Sequence, residues 1–113
     1  MGMFIYEGGP RVDIDDRALL HLQLVMAAKL GRGEPFSFSW RNDLSVGGGT
    51  STVWIQPHTS MVFKYDREVT LGQVNRAWID ALAFTASSPA GLRLTPEPHG
   101  ASTLDQDLDT VGS

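Results

Sequence analysis

Lys64-Tyr65-Asp66-Arg67 is the stretch of this chain that comes nearest to a chemical motif. ATP-dependent DNA ligases carry Lys-x-Asp-Gly, in which the lysine amine takes AMP from ATP. Such a lysine must be held against the α-phosphate in a nucleotidyltransferase pocket with further lysines, acidic metal ligands and a ribose contact. The chain has 113 residues, its lysines are Lys29 and Lys64, and Arg67 stands where the glycine belongs. A four-residue near-match carries little weight without its structural context. Met61, Phe63 and Tyr65 alternate with Val62, Lys64 and Asp66, which predicts a strand end with a solvated Lys64 and no catalysis there.

The other chemical groupings are weaker. Val46-Gly47-Gly48-Gly49-Thr50-Ser51 has the glycines of a phosphate cradle, but no lysine follows and the next element reads as a strand. His21, His58 and His99 fall in a helix, a turn and the final segment, none with a second ligand at metal spacing. Asp105, Asp107 and Asp109 stand two apart, as at the start of a calcium loop, without its glycine or distal glutamate. No Ser-His-Asp set can be assembled. The residues therefore imply no enzyme, no cofactor and no metal.

Composition bounds the rest. The length suits one domain, and 42% hydrophobic with 19% charged residues is a globular composition. The absence of cysteine removes disulfides and thiolate chemistry, and is compatible with a reducing cytoplasm. No secretory signal is visible, and the run from Ala18 to Leu30, interrupted by His21, Gln23 and Lys29, is too short to span a bilayer, so no membrane partner is expected. The net charge is −4, with three of the acidic groups in the last residues. A near-neutral body with an acidic end is not the footprint of a strong nonspecific DNA binder.

The elements that must position any site follow from periodicity. Strands are expected at 3–7 and 11–15, separated by Gly8-Gly9-Pro10. A helix is expected over 16–30, capped by Asp15 or Asp16, with Leu19, Leu22, Met26 and Leu30 as its core stripe. Leu20, Leu24 and Val25 widen that stripe, so the helix must be covered on more than one side, by its own fold or by a partner. Three strands at 36–42, 51–57 and 61–66 form an expected meander. A second helix over 71–87, with Thr70 as its cap, and a strand at 92–96 complete the order ββαβββαβ. The expected class is α+β: a single, largely antiparallel sheet with both helices on one face. Residues 1–97 form the domain, and 98–113, lacking patterned hydrophobics, are expected to be an acidic disordered tail.

Alternation also predicts a wet sheet face. With Phe36, Phe38 and Trp40 inward, Ser37, Ser39 and Arg41 point outward. Val53 and Ile55 inward leave Thr52, Trp54 and Gln56 outward, beside Lys64 and Arg93. A tryptophan among Ser, Thr, Gln and cations is an anchor for a protein contact, and such an aromatic on an open sheet can also stack single-stranded bases.

Taken together, "DDRALLHLQLVMAAKLGRGEPFSFSW", "STVWIQPHTSMVFKY" and "NRAWIDALAFTASSPAGLRLTPEP" resemble a family of actinobacterial proteins of about a hundred residues, classed as a domain of unknown function. Its members often carry the name "ATP-dependent DNA ligase". The resemblance covers about residues 1–98 and brings no established catalytic residues with it. It implies an actinobacterial or actinophage source. The expectation is a small cytoplasmic binding or assembly module that works without catalysis through the face around Trp54 and Arg41. Its partner would be a protein or a second copy. An accessory role in DNA repair or ligation, touching single-stranded DNA, is the second reading, and a nucleotide-dependent enzyme at Lys64 the third.

Overall fold

In a computed structural model, which describes residues 1–98, the chain is α+β, with two helices and two small sheets of three strands each. Strands β1 (Gly2–Tyr6) and β2 (Arg11–Ile14) form a hairpin. Its turn places Glu7 at φ 49° and Gly8 at φ 72°, and the Gly9 amide donates to the Tyr6 carbonyl at 2.8 Å. Two successive positive φ values give the turn whose twist suits a tight hairpin. Helix α1 (Asp16–Gly31) follows, with the Asp15 carboxylate accepting from the amides of Arg17 and Ala18. Next come β3 (Phe36–Arg41), β4 (Thr50–Ile55) and β5 (Met61–Lys64), then α2 (Arg76–Ala86) and β6 (Leu92–Arg93).

The expected single sheet is replaced by two, ordered β2-β1-β5 and β4-β3-β6. The expected meander stops at β4, because β5 leaves it and pairs antiparallel with β1, Phe63 opposite Phe4. Two contacts favour that choice. The Phe63 ring lies 5.4 Å from that of Phe4, and the Tyr6 hydroxyl donates to the Trp54 carbonyl at 2.6 Å, occupying an acceptor on the edge of β4. The last strand also differs. It has two residues rather than five, and it lies parallel to β3, with Leu92 beside Phe38. A parallel neighbour needs a long crossover, which the segment containing α2 supplies.

The second helix begins later than its hydrophobic pattern suggested. A short 3-10 turn covers Leu71–Gln73, and Asn75, not Thr70, caps α2 through its side-chain oxygen to the amides of Ala77 and Trp78. The wide apolar surface of α1 is covered from within. Leu19, Leu20, Leu22, Val25 and Met26 are all buried, with α1 packed against both α2 and β1. The inner faces of the two sheets meet through Phe4, whose ring stands edge-on to that of Phe38 at 5.3 Å. Trp78, Leu82 and Ala86 of α2 complete the core.

Buried polar groups fasten the connections to this core. Asp16 is buried in the first turn of α1, and its carboxylate accepts from the amides of Asp66 (3.2 Å) and Arg67 (3.0 Å). Gly2 leaves the room for it, since a Cβ there would come within 2.7 Å of that carboxylate and 2.6 Å of the Lys64 carbonyl. His21 is fully buried against Trp78, with ring centroids 4.5 Å apart. Its Nε2 accepts from the Asn75 amide at 2.8 Å and its Nδ1 lies 2.7 Å from the Arg17 carbonyl, which assigns the proton to Nδ1. Arg17 grips Glu97 with two nitrogens, at 2.9 and 2.7 Å, and the Asn75 amide group donates to the same carboxylate at 2.9 Å. The acidic disordered tail expected at 98–113 lies, after Pro98, outside the described residues. Pro98 itself accepts from Asn75.

Asp16 and Glu97 can each be tested by substitution. Asp16→Ala takes the shared acceptor from two partly buried amides, and should destabilise the fold by about 1–2 kcal/mol with an unchanged m-value in urea. The Arg17 guanidinium, and then the Asn75 amide, hold the Glu97 carboxyl at about 2, below the ordinary 4.5. A depressed carboxyl stabilises fully above its unfolded pKa, and that contribution fades as pH falls from about 4.5 to about 2. The side chains are 41% and 34% exposed, so solvent screening limits the gain to about 1 kcal/mol. Glu97→Gln should therefore lower stability by about that amount at pH 7 and flatten the loss of stability between pH 4.5 and 2 in chemical denaturation.

Candidate functional site

The outer face of β4-β3-β6 carries the residues expected on the wet side. Register places Trp54 beside Ser37, Thr52 beside Ser39, and Thr50 beside Arg41. Arg93 stands beside Ser39 from the other edge. The pleat that sends Phe36, Phe38, Val53 and Ile55 into the core sends these seven outward. Trp54 is 55% exposed, so no loop or bulge among the described residues hides it. The Ser39 and Thr52 hydroxyls lie 2.7 Å apart and bond to each other, which leaves a flat polar floor next to the indole. The Trp54 backbone is fixed by Tyr6 from the other sheet. Gln56 is exposed just past the end of β4, where its amide donates to Thr59 Oγ1 at 2.9 Å in the turn that leaves the sheet.

Lys64 does not belong to this face. It sits in the other sheet, opposite Met3, on the outer side of β5. The separation follows from β5 pairing with β1 rather than with β4. The stretch around it is a fastening: the amides of Asp66 and Arg67 bind Asp16, and the Asp66 carboxylate meets the Met1 ammonium group at 2.9 Å. Tyr65 donates its hydroxyl to Gln23, and its phenol is pushed up by burial and then by the nearby Asp16 charge. Among the described residues no three His, Cys, Asp or Glu side chains come together in a way that could hold a metal ion.

A feature not visible in the sequence is a cleft of about 750 Å³ at the junction of the two sheets. Its apolar floor includes Val12, Ile14, Phe38 and Trp40, and Asp13, Arg41 and Arg93 lie on its rim. Alternation showed which way these side chains point. It could not show that β2 and β3 stand on either side of one gap, because that depends on which strands pair.

The chain belongs to a family of domains of unknown function, DUF7882, whose sequence pattern matches residues 1–97. Neither a curated protein nor a solved structure matches it. No helix among the described residues is long and apolar enough to cross a membrane.

With Lys64 on an exposed strand and its neighbours engaged in backbone fastening, incubation with ATP and magnesium should add no AMP. Intact-mass measurement would read any adduct as a gain on Lys64 that Lys64→Ala removes.

Proposed function

We propose that this domain is a non-catalytic binding module whose contact face is the outer side of β4-β3-β6, with Trp54 as its anchor and a protein as its partner. The observation that carries this reading is Trp54, more than half exposed beside Ser37, Ser39 and Thr52, with Arg41 and Arg93 further along the same face. Leaving an indole in water gains nothing for folding, while tryptophan and arginine dominate the energetics of protein contacts. The floor is held by cross-strand hydrogen bonds and by Tyr6, so a partner would meet a surface already in shape. A second copy of the chain is one such partner.

A second reading has its own support. Two guanidiniums on the same sheet face as an exposed indole can hold a single strand by stacking and phosphate contact. The net charge of −4 weighs against it. Salt separates the two, because nucleic-acid binding falls steeply as salt rises and an apolar protein contact does not. A cytoplasmic setting belongs to this proposal as well, in keeping with the lack of cysteine.

The double variant Trp54→Ala/Arg41→Ala should retain stability within about 0.5 kcal/mol, since both side chains lie outside the core. Its capture of partners from the native host's lysate, after nuclease treatment, should fall by at least tenfold relative to wild type. Unfolding of the variant would make Trp54 a core residue, and undiminished capture would place the contact elsewhere. Capture that nuclease abolishes would favour the single-stranded DNA reading.

A further inference from the structure

Strand β4 is an edge of its sheet, and the phase of its ladder fixes which backbone groups it leaves free. The Asn42 amide donates to the Gly49 carbonyl, so Trp40 with Ser51, Phe38 with Val53 and Phe36 with Ile55 are the hydrogen-bonded pairs of β3 and β4. The peptide groups of Thr50, Thr52 and Trp54 therefore point away from β3. The Trp54 carbonyl accepts from the Tyr6 hydroxyl, while the amides and carbonyls of Thr50 and Thr52 have no backbone partner among the described residues. Natural sheets guard an open edge with charge or keep it short. Arg11 and Asp13 stand on β2, Lys64 ends β5, and β6 has two residues, one of them Arg93. β4 has six residues, Thr50-Ser51-Thr52-Val53-Trp54-Ile55, with no charge and no proline. Its β-branched and aromatic side chains suit a strand that is paired on both sides.

We propose that two copies of this chain associate through the edge of β4, as antiparallel strands about a two-fold axis at Ser51. This rests on the reading of Trp54 as a contact anchor and names its partner. Thr50-Ser51-Thr52 reads the same in both directions, which suits a contact between identical strands. About that axis Thr50 of each copy lies opposite Thr52 of the other, and their free amides and carbonyls make four hydrogen bonds. Facing threonines are a favourable cross-strand pair, and β4 brings no charge to the contact. The ladder ends where the groups are already engaged. Trp54 would come next, opposite Gly48 of the second copy. Its carbonyl holds the Tyr6 hydroxyl, and the Gly48 amide donates to the Asp43 carbonyl at 3.0 Å. Gly48 has no side chain to obstruct an indole laid over it. Beside it lies Leu44, 88% exposed, with its Cδ2 3.3 Å from where a Cβ on Gly48 would stand. The two-fold thus carries the exposed tryptophan of each copy onto the exposed leucine of the other, at both ends of the paired strands. Burying that apolar surface adds to the four hydrogen bonds.

The test is sedimentation equilibrium on the full chain from micromolar to submillimolar concentration, with amide exchange followed by NMR. The expected result is a monomer–dimer equilibrium in which the Thr50 and Thr52 amides exchange at least tenfold more slowly as the dimer fills. Thr52→Pro removes an amide that the ladder with β3 does not use, so it should fold and weaken dimerisation at least tenfold. Thr50→Lys/Thr52→Lys and Thr50→Glu/Thr52→Glu should each be monomeric. Their mixture should restore the dimer, because this register sets each lysine opposite a glutamate. Trp54→Ala should weaken the wild-type dimer at least tenfold. A chain that stays monomeric throughout would overturn the proposal. So would a folded Thr52→Pro variant that dimerises like wild type, or a lysine and glutamate mixture that fails to pair. A monomer that still captures a protein from lysate through Trp54 would overturn the second copy and leave the Trp54 face standing. A dimer lost with Thr52→Pro but indifferent to Trp54→Ala would support the strand pair and remove the anchor.

Discussion

The contact on which the fold depends is the edge-on meeting of Phe4 and Phe38. Each belongs to a three-stranded sheet, and so small a sheet cannot hide its hydrophobic face by itself. Phe4 is fully buried because Phe38, Trp40 and Phe63 surround it, from both sheets. Once the two inner faces are joined, α1 and α2 have a surface to cover, and the outer faces are left to solvent. The exposure of Trp54 is thus a result of the same packing that buries its neighbours Val53 and Ile55.

Polar contacts inside this framework hold loops rather than strands. Asp16 ties the segment after β5 to the start of α1, while His21 and Asn75 tie the start of α2 to the second turn of α1. Glu97, gripped by Arg17 and Asn75, brings the chain after β6 back to the same helix ends. These bonds gather near the N-terminal parts of both helices. The residues of the outer face around Trp54 take no part in them, so partner contacts there need not disturb the core.

Much of this was legible in the sequence, for local reasons. Alternation in Phe36–Arg41 and Thr50–Ile55 fixed which residues face out, because both strands keep strict period two around large apolar side chains. Asp15 before α1 was readable as a cap for the same kind of reason. What could not be read was pairing. The five residues between β4 and β5 fit a hairpin as well as they fit a departure, and the outcome turned on Phe63 meeting Phe4 from far away in the chain. Lys64 moved off the Trp54 face with that one choice. Thr70 and Asn75 are both good cap residues, and Asn75 won where its own amide and side chain also meet His21 and Glu97. The breadth of apolar surface on α1 was correctly seen as needing cover on several sides, and the cover is internal.

Strand β1 lies in the middle of its sheet, between β2 and β5. During synthesis at about 5–20 residues per second, the ribosome delivers Phe4 roughly 3–12 seconds before Phe63, the partner that flanks it on the far side. In that interval the nascent chain holds a hairpin and an apolar helix whose remaining cover has yet to be translated. Strand β1 is thus made well before one of the two strands that flank it, and its burial waits on β5.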